Sequence, residues 1–330
     1  MKLDELRMFR CIRCRNAGLD VGFTFEAVDR QASGEGVLNC ERCGSVFQIT
    51  RGIARFVPED NYAKSFGFQW NTHEKTQLDS FSGLTVSRDR VFAVTGWPES
   101  LVGERVLEAG SGAGRFSEIL LETGASVFSF DYSSACEANL RNNNGKGKGS
   151  FTVFQGDIFD IPLAKSSFDK VFCLGVLQHT PDPERAFRSL VQYVRPGGSL
   201  AIDIYTKSIG HWLQWKYLLR PITTRMNQLH LYSLISNVAP VLVPVAASLH
   251  RLLGRFGRRL LPIVQYSHLG LPPELNVQWA ILDTFDMYAP KHDHPKTVKD
   301  VRLWFEQAGF CQIDVRHGPN GVIGTGVRPL

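Results

Sequence analysis

The sequence predicts an α/β fold, a doubly wound parallel sheet, preceded by a small metal-held module. Three observations carry this. Short apolar runs alternate with amphipathic stretches from residue 105 to 204, the pattern of strands joined by crossover helices. One run, Val106-Leu107, ends at Glu108 and turns through Gly110, Ser111, Gly112 and Gly114, where glycines let backbone N–H groups approach a ligand at a helix start. Ahead of it, Cys11-x-x-Cys14 and Cys40-x-x-Cys43 form two matched pairs separated by 25 residues.

The chain of 330 residues, 43% hydrophobic, is long enough for a large core and about two domains. Its first residues carry acids and no apolar run, so no secretory signal is expected. Val238 to Ala247 is the longest purely apolar run, ten residues with two prolines, well under the roughly 20 that span a bilayer. No transmembrane helix is therefore expected. Seven cysteines without a signal point to a reducing, cytoplasmic setting, where paired cysteines hold metal.

Residues 1–57 read as a zinc ribbon. Each cysteine pair aims two thiolates at one point, and Cys11, Cys14, Cys40 and Cys43 together suit tetrahedral Zn2+. Four protein ligands leave no position for water, so the zinc is structural. Val46 to Ile49 and Gly52 to Val57 read as ribbon strands. Residues 58–100 form a linker with helices. It contains the aromatic cluster Phe66 to Asn71 and a helical pattern over Val86 to Val94, with Arg88 and Arg90 on its other side.

The core, 101–204, starts with a strand at Arg105 to Leu107 and a helix at Phe116 to Thr123 closed by Gly124. Strands follow at Ser126 to Phe130, Phe151 to Phe154, Lys170 to Leu174 and Ser199 to Ile204, with Asn142 to Ser150 as a solvated loop and a helix from Glu184 to Val194. The third glycine of the turn falls one residue early for a dinucleotide fingerprint, and Arg115 occupies the sixth position. Asp131 lies 21 residues after Gly110, placed either to accept from ribose hydroxyls or to cap the helix from Ser133.

Residues 205–295 are an insertion of another character. From Ile204 to Pro273 there is no acid but there are eight basic residues, leaving a net −3 for the rest of the chain. Leu249, Leu252, Leu253, Phe256 and Leu260 fall on one helical face, with His250, Arg251, Arg255, Arg258 and Arg259 elsewhere. Such a helix suits an anionic membrane surface, a phosphate-bearing substrate, or docking on the insertion with its arginines in water. Asp283 to Pro295 reads as an extended segment lining the substrate cleft, with His292, Asp293 and His294 also able to meet a metal. Residues 296–330 contain a Thr297/Asp300 capping box, a helix to Ala308 and two strands, Phe310 to Val315 and Val322 to Val327.

Taken in order, Glu108-x-Gly110-x-Gly112-x-Gly114, Asp131, Gly156-Asp157-Ile158, the Leu174 to Asp182 stretch and Arg195-Pro196-Gly197-Gly198 resemble the motifs of class I S-adenosylmethionine-dependent methyltransferases of the type 11-like group. The ribbon's Gly52-Ile53-Ala54-Arg55-Phe56-Val57 is similar to zinc ribbons that accompany or activate some of them. The resemblance implies a Rossmann-like sheet of seven strands, completed by the C-terminal hairpin. It implies S-adenosylmethionine as cofactor, with Glu108, Gly110, Ser111, Gly112 and Gly114 around it. Asp131 would meet the ribose, Tyr132, Asp157 and Ile158 the adenine, and Leu174 the sulfonium pocket. Gln69 and Trp70 would cover the methionine end, or else pack the ribbon onto the core.

Methyl transfer needs positioning and, for an O- or N-acceptor, a base. His179 is the first candidate, or a residue holding substrate; His292 and His294 come after it. The expected acceptor is a small molecule or a lipid- or glycan-linked intermediate, with peripheral contact at the inner membrane surface. One alternative is an rRNA or tRNA methyltransferase gripping RNA with the ribbon and the basic insertion. The Leu, Val and Pro content of the insertion speaks against it. A non-catalytic zinc-ribbon interaction protein is the other, opposed by the intact glycine and acid motifs.

Overall fold

A computed structural model describes residues 3–27, 34–58, 61–207, 214–254, 256–257 and 260–330. The N-terminal part forms strands β1 (Thr24–Ala27), β2 (Gly36–Asn39), β3 (Val46–Thr50) and β4 (Ile53–Arg55), followed by helices α1 (Lys64–Thr72) and α2 (Val86–Thr95). The core alternates β5 (Arg105–Ala109), α3 (Arg115–Glu122), β6 (Ser126–Asp131), α4 (Cys136–Asn143), β7 (Phe151–Gln155), β8 (Phe168–Leu174), α5 (Pro183–Val191) and β9 (Val194–Ile204). The insertion contributes α6 (Trp215–Thr223), α7 (Gln228–Leu253) and α8 (Pro273–Tyr288). Helix α9 (Val298–Gln307) and strands β10 (Cys311–Gly318) and β11 (Gly321–Val327) close the chain.

Strands β5 to β9 pair in parallel and β11 and β10 add the antiparallel end, so the seven core strands run β7-β6-β5-β8-β9-β11-β10. This is the expected doubly wound sheet, with its C-terminal hairpin in place. Its parallel strands are largely buried on both faces and read as continuous apolar runs for that reason, whereas the edge strand β10 is mostly exposed. The capping box forms as read: Asp300 N–H donates to Thr297 Oγ1 at 3.1 Å and Thr297 N–H to Asp300 Oδ2 at 2.9 Å.

The ribbon is more than an appendage. Strand β4 pairs in parallel with β7, Ala54 opposite Phe154 and Arg55 opposite Gln155, so β1 to β4 extend the sheet to eleven strands. Phe9 and Phe56 pack on Phe154, with ring centroids 5.3 and 6.2 Å away, within a hydrophobic cluster that runs into the core. Covering β7 removes an exposed sheet edge. Arg55 seals the junction, with Glu137 Oε1 at 2.8 Å and Gln155 Oε1 at 2.9 Å.

Four sequence readings change. The Asn142 to Ser150 loop is solvated only in part: Asn142 and Asn143 are buried at its start. The Arg195 to Gly198 turn lies inside β9, which begins at Val194, and the pairing with β8 shifts register there. Asp283 to Tyr288 is the last stretch of helix α8, and the chain leaves the helix only at Ala289.

The predicted basic amphipathic helix ends early, at Gly254 (φ 57°, ψ −137°). Leu252, Leu253, Phe256 and Leu260 are exposed, and Arg255, Arg258 and Arg259 lie outside the described residues. The long helix lies upstream of it. Helix α7, 26 residues with mean hydropathy 1.5 over its most apolar 18-residue window, is long and apolar enough to cross a membrane by length and composition. The apolar run Val238 to Ala247 is its centre, and Ser233, Ser236, Asn237 and Ser248 interrupt the pattern on either side, so the run is shorter in sequence than the helix is in the fold.

Candidate active site

A cavity of about 1070 Å³ opens at the C-terminal ends of β5, β6 and β8, where ligands sit in open α/β sheets. The glycine turn forms its floor. Gly110 and Ser111 both donate their N–H to Phe130 O, at 2.8 and 3.0 Å, and Gly112 donates to Asp131 Oδ2 at 2.9 Å. These donors therefore hold the turn against β6. What glycine supplies is close approach. A Cβ on Gly114, which sits at φ +87°, would fall 2.0 Å from Asn139 Oδ1, and one on Gly112 would meet the Trp70 ring at 3.1 Å. Ser111 Oγ is buried on the cavity wall with no partner.

Behind the turn stands a polar clamp that the sequence reading missed. Asn142 Nδ2 donates to Ala113 O at 2.8 Å, and Asn143 Nδ2 to Gly114 O at 2.9 Å. Asn139 Nδ2 reaches Ser117 Oγ and Ser129 Oγ. Glu108 belongs to this layer: it is buried off the cavity wall, Oε2 accepts from Ser117 Oγ and from Ser129 Oγ (2.7 Å), and burial pushes its carboxyl up to about 7. The helical asparagines had a signal, three within five residues, but a polar loop explained it as well.

Of its two offered roles, Asp131 is seen in the capping one. Oδ1 accepts from Ser133 N–H (2.8 Å) and Ser133 Oγ (2.6 Å), Oδ2 holds Gly112, and the residue still lines the cavity. Tyr132 and Ile158 stand beside it, and the Tyr62 ring packs on Tyr132 at 4.8 Å. Asp157 is set back from the wall and accepts from Phe159 N–H at 2.8 Å. Leu174 and Trp70 line the cavity; Gln69 does not, and its amide is buried without a partner.

At the far side lies His179, 6% exposed. Nδ1 is 3.1 Å from His292 O, and a carbonyl only accepts, so Nδ1 carries the proton and Nε2 the lone pair. Nε2 is buried with no hydrogen-bond partner, and Asp286 Oδ2 lies 4.0 Å away. Burial holds the imidazole below its ordinary 6.5. The rings of Phe66 and Tyr205 flank it at 5.2 and 5.5 Å, and Tyr205 OH donates to Asp286 Oδ2 at 3.2 Å. His292 and His294 stack with each other at 5.7 Å, off the cavity wall.

Two arginines complete the wall and were not anticipated. Arg90, expected on the outer side of α2, turns inward and binds the fully buried Asp203 through Nε at 3.0 Å. Arg115 is held by Gln77 Oε1, which belongs with Asp283 and Tyr266 to one network, and burial lowers its guanidinium to about 10. Arg90 read as a solvent-facing charge because its partner, Asp203, is delivered by a strand more than a hundred residues away, and Arg115 is enclosed by Gln77 of the linker together with Asp283 of the insertion.

The four ribbon cysteines converge as read. Their sulfurs all lie within 4.8 Å of one another, with Cys11–Cys43 at 3.6 Å and Cys14–Cys40 at 3.5 Å. Tetrahedral thiolates at about 2.3 Å from zinc stand about 3.8 Å apart, so the donor set fits. Among the described residues no other cluster of metal-ligating side chains forms.

Residues 107–202 match the family model described as a methyltransferase domain. The chain is similar to the ubiquinone biosynthesis O-methyltransferase of Coxiella burnetii, 28% identical over 114 residues, covering 34% of this chain and 49% of that one. The enzyme of the same name from Idiomarina loihiensis is 27% identical over 117 residues, covering 35% and 48%. The chain thus spans about half the length of these curated relatives. A solved S-adenosylmethionine-dependent methyltransferase from Methanosarcina mazei aligns with a TM-score of 0.41 at 17% identity, covering 71% of this chain and 95% of that one. The family match lies on β5 to β9 with the glycine turn at its head, so the part of this chain similar to a methyltransferase domain is the part that builds the cavity floor.

Proposed function

We propose that the chain is an S-adenosylmethionine-dependent methyltransferase that transfers a methyl group to a small acceptor bearing an ionisable hydroxyl, with zinc holding its ribbon. The observation that carries this reading is one cavity joining the glycine turn to His179, whose Nε2 is buried, unprotonated and without a partner. When bound, S-adenosylmethionine supplies an activated methyl on its sulfonium. The residues suited to hold it are Ser111 and Gly112 at the turn, Asp131 for the ribose, and Tyr132 and Ile158 for the adenine, with Trp70 and Leu174 toward the methyl end. His179 takes the proton of the acceptor hydroxyl at Nε2, and the carbonyl of His292 keeps the ring in the required tautomer. Asp286 lies near enough to steady the imidazolium that results. Phe66 and Tyr205 exclude water from that end.

The names of the curated relatives favour an O-acceptor of the kind found in quinone biosynthesis. An RNA substrate fits less well, since the base at His179 is enclosed by rings on both sides. The ribbon cysteines would take one Zn2+ per chain.

Calorimetric titration with S-adenosylmethionine tests the reading. Wild-type protein binds it and Asp131→Ala weakens binding on the order of 100-fold, the loss of two hydrogen bonds to a carboxylate. Wild-type protein that releases no binding heat, or a variant of unchanged affinity, overturns it.

A further inference from the structure

Helix α7 carries two apolar stripes, and only one of them has a partner. Leu231, Ile235, Ala239, Val243 and Ala246 are buried in a cluster with Ala280, Ile281 and Phe285 of α8. Leu234, Val238, Val241, Val245 and Leu252, spaced four, three, four and seven residues apart, form a second stripe beside the first. All five are exposed, Val241 at 67% and Leu252 at 78%. In the preceding helix, Leu218 and Ile222 repeat the spacing and are exposed at 54% and 66%. A surface of this kind marks an interaction site.

The surrounding charge selects the occupant. No acid occurs between Ile204 and Pro273, while Arg225 precedes α7 and Arg251 lies in its last turn, both exposed. A second copy of the chain would bring an equally acid-free block against this one. RNA would satisfy the arginines and leave the valines and leucines in water. An anionic lipid surface satisfies both.

Span or surface is decided by packing. Only 28% of the most apolar window of α7 is buried, yet that share is a continuous stripe against α8. Helix α8 in turn presents Trp279, Asp283 and Asp286 to the cavity. Surrounding α7 with lipid on all sides would strip it from the wall of the site. We infer that α6 and α7 dock the protein flat on an anionic bilayer, with the stripe Leu234, Val238, Val241, Val245 and Leu252 entering the acyl boundary.

The test is sedimentation of the full chain with vesicles of phosphatidylcholine alone or mixed with phosphatidylglycerol. Wild-type protein pellets with the mixed vesicles, less so as salt is raised, and Val241→Asp/Val245→Asp lowers the bound fraction about tenfold or more. The variant keeps its thermal unfolding midpoint and its S-adenosylmethionine binding; Val241→Ser/Val245→Ser replaces it if aspartates disturb the fold. Failure to pellet overturns the inference, as does equal retention of the variant. Resistance to alkaline carbonate extraction assigns a spanning helix instead. A dimer that the same substitutions split, or retention on RNA in place of vesicles, assigns the face to those partners. Because donor binding is read separately, failure here leaves the methyltransferase reading untouched.

Discussion

His179 and Glu108 are both buried ionisable groups, and burial moves them in opposite directions. Desolvation disfavours the charged form, so it lowers the imidazole and raises the carboxyl. For His179, as the proposed base, the consequence is kinetic. A base must be neutral, and with its pKa below the ordinary 6.5 the rate stays level through neutral pH and falls only on the acid side. His179→Gln lowers kcat by about 10²- to 10⁴-fold and erases that acid limb; a variant with an unchanged pH profile would mean that the ring only positions the acceptor. For Glu108 the consequence is stability. Its pKa rises from 4.5 unfolded to about 7 folded, so between these values the unfolded chain ionises first and stability declines as pH increases. Glu108→Gln removes that slope. Urea unfolding then shows the variant gaining on wild type by roughly 3 kcal/mol between pH 4.5 and pH 8, whereas a constant difference would place the carboxyl in contact with water.

At the scale of elements, the predictable pieces are those whose signals are local. Thr297 and Asp300 satisfy each other's backbone N–H groups at the start of α9, and that geometry follows from spacing alone. Thr297→Ala costs about 1 kcal/mol in chemical unfolding, and a neutral outcome would mean that water replaces the cap. Strands β5 to β9 were legible within a few residues because parallel strands buried on both faces read as unbroken apolar runs. Helix α7 was not. Its hydroxyl and amide residues break the run in sequence, yet on the helix Ser233 and Asn237 share an exposed face and Tyr232 packs with the buried stripe on Phe285. The helical face around Leu249 to Leu260 was misread for the complementary reason: its spacing is helical, but Gly254 ends the helix in a conformation that ordinary side chains avoid.

At the scale of the whole molecule, the cysteine cluster is coupled to the sheet. Since β4 pairs with β7 and Phe9, Phe56 and Phe154 share one cluster, the ribbon cannot loosen without exposing the sheet edge. Metal analysis should return one zinc per chain, lost in Cys40→Ser/Cys43→Ser. The variant should melt on the order of 10 °C lower, and in one transition that includes the core. Two separate transitions would show that the ribbon folds as an independent unit.

The sequence by itself determined the parts that depend on neighbours along the chain. These are the strand-turn-helix at Gly110 to Gly114, the acid after the second strand, the paired cysteines and the capping box. The tertiary structure alone decided which charges are interior. Arg90 finds Asp203 across more than a hundred residues, Asn142 and Asn143 reach back to the glycine turn, and Asp286 comes from the insertion to stand beside His179. A charge or amide acquires such a role from the partner that encloses it. Spacing along one chain segment carries no record of a partner delivered by another.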